Sequence, residues 1–181
     1  MSWLTCHKRL SCLSATDETL TPSQLSARDT LLDTIHAEET RINLWGDTGT
    51  GKTFLAHYLH HRADVIYFSY QHHYDRQVSQ HSVVTIDNAP HIRHQARGLY
   101  DNIRWGERDY KGPKVILITR KPIADAVRQI PLTLTDADIV HMENIIRQQF
   151  GESDFETFSQ YDRQRSGLWW YVKNLCCSID C

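Results

Sequence analysis

Gly46 to Thr53 read GDTGTGKT, and this octet stands between an apolar run, RINLW, and a helix-patterned run, TFLAHYLHHR. Glycine loses more backbone freedom on folding than any other residue. Gly46, Gly49 and Gly51 therefore weaken the chain unless the backbone must turn sharply there or something must approach it closely. The octet fits G-x-x-x-x-G-K-[ST] in full, with a strand expected before it and a helix after it. In that arrangement backbone amides approach a phosphate chain, and the next helix adds the positive end of its dipole. Lys52 is placed to contact the terminal phosphates, and the Thr53 hydroxyl to hold Mg²⁺.

The rest of the chain has to supply a sheet around that loop. TPSQLSARDTLLDTIHAE begins with Thr21 as a cap and Pro22 at the first helical position, with Leu25, Leu31, Leu32 and Ile35 expected on one face. Strands are expected in RINLW, DVIYFSY, SVVTIDNA, KVILITR and PLTLT. Helices are expected in TFLAHYLHHR, PHIRHQARGLYDNIRWGERD, PIADAVRQI, DADIVHMENIIRQQFG and DFETFSQYDRQRSGLWWYVKNL. Strands alternate with helices up to Thr135, and SVVTI and KVILI are almost continuously apolar. Such strands belong in a parallel sheet covered on both faces. This reading divides the chain into a flexible tail (1–20), an α/β domain (21–135) and a small helical lid with its tail (136–181).

Further site candidates lie at strand ends. Asp87 ends SVVTI, which puts its carboxylate at the carboxyl edge of the sheet, on the metal side of the phosphate loop. Asn88 follows where many ATPases of this kind carry a second acid. A neutral amide orients water but is a poor base, so either hydrolysis is slow or the base comes from elsewhere. Thr119 ends KVILIT and is either an ordinary strand end or a group placed to bond the γ-phosphate or the attacking water. Arg128, at the end of the expected short helix, is either solvated or an arginine finger toward a neighbouring subunit. Arg165 is placed to fold back from the lid, with Arg163 as its rival.

Composition narrows the alternatives. The chain has 181 residues, 40% of them hydrophobic, enough for one domain with a core. A net charge of −2 gives no overall nucleic-acid signal. No apolar run is long enough to span a bilayer and the first residues lack a signal-peptide core, so a cytoplasmic location is expected. Five cysteines (Cys6, Cys12, Cys176, Cys177 and Cys181) are read as reduced thiols, and the eleven histidines as solvated or packed side chains. Trp169, Trp170 and Tyr171 share a helix with Leu168, Val172 and Leu175 and are read as lid core.

The order of these parts resembles the AAA+ P-loop ATPases. VVTIDNAP, LYDNI and VILITRKPIADAV are similar to segments of the ATPase domain of bacterial replication initiators and initiator-like regulators. The resemblance covers about residues 20–175. It implies a three-layer P-loop NTPase fold, with a five-stranded parallel sheet in the order 5-1-4-3-2 and a small C-terminal lid. It also implies ATP and Mg²⁺ as ligands. Gly46, Asp47, Thr48, Gly49, Thr50, Gly51, Lys52, Thr53 and Phe54 would bind nucleotide, with Thr53 and Asp87 on the metal. Thr119 would be the first sensor, Arg128 the finger and Arg165 the second sensor. The implied partners are a protein, DNA, or further subunits in an ATP-dependent oligomer, with no membrane.

A superfamily 3-like viral helicase core is the competing expectation, with RWGERDYKG (Arg104, Trp105, Arg108, Tyr110, Lys111) as a strand-contacting loop. A small-molecule kinase and a weakly hydrolysing ATP-binding adaptor remain as further alternatives. No helix-turn-helix segment follows the lid within these residues, so sequence-specific DNA binding by this chain alone is not expected.

Overall fold

Thr21 and Gln24 start the first helix between them. The Thr21 hydroxyl accepts from the Gln24 N–H, and the Gln24 side chain accepts from the Thr21 N–H at 2.8 Å. This capping box, followed by Pro22, opens α1 (Pro22–His36). The helix buries Gln24, Ala27, Leu31 and Thr34, while Leu25, Leu32 and Ile35 pack half-buried beside the core. The buried stripe is thus rotated from the one expected, and it includes a glutamine that the phosphate loop uses.

In the computed structural model, residues 13–37, 41–70, 83–89, 113–124, 126 and 128–150 are described. After α1 come β1 (Arg41–Trp45), α2 (Lys52–Arg62), β2 (Val65–Phe68), β3 (Val83–Ile86), β4 (Lys114–Thr119), β5 (Arg128–Pro131) and α3 (Asp136–Phe150). All five strands run parallel in the order β2-β3-β4-β1-β5, which is the expected 5-1-4-3-2 order seen from the other edge.

Alternation along the strands sends successive side chains to opposite faces. Ile42, Leu44, Ile116 and Ile118 join Leu31 of α1 and Leu55 and Leu59 of α2 in one core. Val84, Ile86, Val115 and Leu117 form a second core with Ala89 and Ile123 on the other face. Both clusters are nearly inaccessible to solvent, as the continuous apolar runs require.

Two expectations change. PIADAVRQI was expected as a helix and PLTLT as a strand, but the last strand is Arg128–Pro131, preceded by a turn in which the Ala126 N–H donates to the Ile123 carbonyl. Pairing explains the shift: β5 aligns Ile42 with Arg128 and Trp45 with Pro131, and this register buries Ile130. The expected tail also contributes to the core, because Leu20 is fully buried and Ala15 nearly so. The helices expected at 90–109 and 154–175 lie outside the described residues, as do residues 1–12. No described helix is long and apolar enough to cross a membrane.

Candidate functional site

The loop leaves β1 at its carboxyl end. Trp45 pairs with Thr119, and the Gly46 N–H donates to the Thr119 carbonyl at 3.3 Å. A Cβ at Gly46 would run into the Leu132 carbonyl, and one at Gly51 would run into the Gln24 side-chain amide. Gly51 also has φ of 88°, the left-handed region that L side chains rarely adopt. Both glycines are therefore required by the protein's own packing as well as by the phosphate approach that the motif implies.

Lys52 opens α2 and turns back across the loop. Its ammonium donates to the carbonyls of Gly46 and Asp47, each at 2.7 Å, and to the Thr50 hydroxyl at 3.3 Å. Burial lowers its pKa below the ordinary lysine value, against the opposing pull of Asp87 and Asp47; the Arg120 charge adds to the lowering. Gly51, the residue that caps α2, has no side chain to bond the helix's first amides. Those amides and the dipole behind them face the loop, an arrangement suited to an anion.

Asp87 follows β3 and is 3% exposed. Its Oδ2 accepts from the Thr53 hydroxyl at 2.6 Å and from the Tyr67 hydroxyl at 3.0 Å, and its Oδ1 accepts from the Asn88 N–H at 2.7 Å. Burial raises the Tyr67 phenol, and the adjacent Asp87 charge raises it further. The His57 ring lies tilted against Tyr67, with centroids 4.5 Å apart, and burial lowers its pKa, helped by His61 and His60. A threonine hydroxyl and a carboxylate are hard oxygen donors, which fits Mg²⁺ bound by one or two side chains and completed by water and phosphate oxygens.

Asn88 has φ of 51° and donates its side-chain amide to the Ser69 carbonyl at 3.0 Å. Thr119 lies at the same edge, 3% exposed; its hydroxyl donates to the Lys121 carbonyl at 2.7 Å and accepts from the Asn43 amide at 2.8 Å. Asn43 was missed in the sequence. It is fully buried in β1, donates also to the Leu117 carbonyl, and accepts from the Ile123 N–H. A lone amide within the apolar run RINLW was the available signal.

Lys52, Thr53, Asp87, Asn88 and Thr119 thus converge on one edge with residues 46–51, and Phe54 packs half-buried against the core behind them. Arg128 is exposed at the amino end of β5, in a strand rather than at a helix end, and stands apart from that edge. Arg165 lies outside the described residues.

Solved structures share this architecture. The chain is similar to NtrX from Brucella abortus in complex with ADP, with a TM-score of 0.58 and 12% identity over 97% of this chain and 55% of that one. It is also similar to AMPPCP-bound DnaA from Aquifex aeolicus, with a TM-score of 0.52 and 11% identity over 89% of this chain and 62% of that one. The fold is the P-loop NTPase fold, a five-stranded parallel sheet with flanking helices that these two structures share. The chain spans 55% and 62% of the length of these two structures, less than two thirds of either. Its sequence matches no protein-family model and no curated protein.

Proposed function

We propose that the chain binds ATP with Mg²⁺ at residues 46–54 and works as an AAA+-type ATPase and molecular switch. The observation that carries this reading is the convergence of Lys52, Thr53 and Asp87 beside a helix N-terminus that has no side-chain cap. The amides of residues 46–53 wrap the phosphates, the Lys52 ammonium offsets their charge, and the Thr53 hydroxyl and Asp87 carboxylate hold the metal. The metal, when bound, neutralises charge on the phosphate oxygens. Asn88 and Thr119 face the terminal phosphate and the attacking water. Arg128, exposed on the edge strand, would reach a neighbouring copy, and Arg165, which lies outside the described residues, would serve as a second phosphate sensor for the domain of residues 21–135, with residues 136–181 assigned as its lid. The switch acts in the cytoplasm, in DNA replication or another DNA-linked assembly, through a protein or DNA partner.

A second reading, an adaptor that binds ATP but turns it over slowly, is favoured by Asn88. Its amide is engaged by Ser69 and has no basicity with which to activate water. Phosphate release measured with and without single-stranded and duplex DNA, in wild type and Lys52→Ala, separates the two. The switch predicts DNA-stimulated turnover abolished in Lys52→Ala. The adaptor predicts tight ATP binding with negligible turnover, and strand displacement by the protein alone would select the helicase alternative.

A further inference from the structure

The first turns of α1 and α3 are joined by a single carboxylate. Asp138 is the third residue of α3 and is fully buried. On its own helix its Oδ2 accepts from the Thr135 N–H at 2.7 Å and the Thr135 hydroxyl at 2.8 Å, closing the first turn. The same side chain crosses to α1, where Oδ1 accepts from the Ser23 N–H and Oδ2 from the Ser23 hydroxyl, at 2.8 and 2.7 Å. The Ser23 amide is one of the helix-start donors with no partner inside its own helix, and a carboxylate there also meets the positive end of the dipole.

Gln24 repeats the pattern one step nearer the site. It too is the third residue of its helix. Its Oε1 accepts from the Thr21 N–H, and its Nε2 donates to the Gly51 carbonyl at 3.2 Å. That carbonyl in turn accepts the Leu55 N–H at 3.0 Å, within the first turn of α2. A continuous path of hydrogen bonds and one helical turn therefore runs from α3 through Asp138, Ser23 and Gln24 to Gly51. The other end of the phosphate loop is held as well, because the Leu132 carbonyl covers Gly46 three residues before Thr135. One end of the loop is thus linked to the start of α3 through α1, and the other lies against the segment that precedes α3.

We propose that Asp138 is a positioning residue for the phosphate loop, acting through the first turn of α1 and Gln24, so that the seating of α3 sets how tightly the loop grips ATP. The proposal rests on the reading of residues 46–54 as an ATP site. An element with two seatings at this joint would bias the loop in both directions, since coupling between sites is reciprocal.

The test is calorimetric titration of the full chain with ATP and Mg²⁺, at a temperature well below every variant's Tm. Asp138→Asn keeps the shape but replaces one acceptor oxygen with a donor. It is expected to weaken ATP binding about three- to tenfold in the folded protein, as is Gln24→Ala, the size of a coupling within one shared network. Ser23→Ala, which leaves the carboxylate in place, is expected to give a smaller loss of the same sign. The double variant Gln24→Ala/Asp138→Asn is expected to bind no more weakly than the worse single variant. If Asp138→Asn lowers Tm but leaves ATP affinity unchanged, or if the two losses multiply, the proposal is overturned and the contact is structural alone. Wild type that binds no ATP would remove the site itself, and the proposal with it.

Discussion

The Thr53 hydroxyl donates to Asp87 Oδ2 at 2.6 Å, joining the first turn of α2 to the carboxyl end of β3. Residues 34 positions apart in sequence thus present two hard oxygens side by side. Asp87→Asn removes the charge while keeping the shape. ATP turnover is expected to fall by about two orders of magnitude, the scale for losing a charge-stabilising group. Its ATP affinity should also lose most of its dependence on Mg²⁺ concentration, which titration at several concentrations would show.

Gly51→Ala places a Cβ against the Gln24 amide at a residue with φ of 88°. The left-handed conformation and the overlap together are expected to cost about 2–3 kcal/mol. A thermal melt should show a Tm lower by about 5 °C or more.

Asn43→Leu fills the same space without the amide. It leaves the Ile123 N–H and the Leu117 carbonyl without their partner on β1, and it frees the Thr119 hydroxyl oxygen of one donor. A loss of about 2–4 kcal/mol is expected, since buried groups left unpaired carry their full desolvation cost. Urea unfolding measures it, and a midpoint equal to wild type would contradict the role given to Asn43.

Asp138 sets an acid limb on stability. Burial alone would raise its pKa, but hydrogen bonds from Ser23, Thr135 and Thr21 outweigh that and hold it below the ordinary aspartate value. A carboxyl depressed on folding contributes stability that is fully present above the unfolded pKa of about 4 and is lost as pH falls through the folded value. Asp138→Asn should therefore cost about 2–3 kcal/mol at pH 7. The gap between wild type and variant should close only below about pH 4. A gap that is constant across that range would contradict the assignment.

Much of this was legible in the residues themselves. The G-x-x-x-x-G-K-[ST] octet fixed the neighbourhood of the site, and the apolar runs SVVTI and KVILI fixed a parallel sheet with Asp87 at its edge. The last strand was misplaced because its location depends on pairing with β1, which puts Arg128 beside Ile42; the local pattern of PIADAVRQI carries no such information. The burial of Leu20 was missed for a similar reason, since a single leucine in a weakly patterned segment does not show what covers it. Nothing in the sequence sets Gln24 or Asp138 apart from their neighbours. Only the folded arrangement shows that each also reaches a second element.

The most direct measurement is the ATP affinity of the full chain in the presence of Mg²⁺, wild type against Lys52→Ala. Wild type is expected to bind saturably at one to one, and Lys52→Ala to lose about 100-fold, the scale of one charge-assisted contact to a phosphate. Equal affinity in the two proteins, or no binding by wild type, would contradict the reading of residues 46–54 as an ATP site.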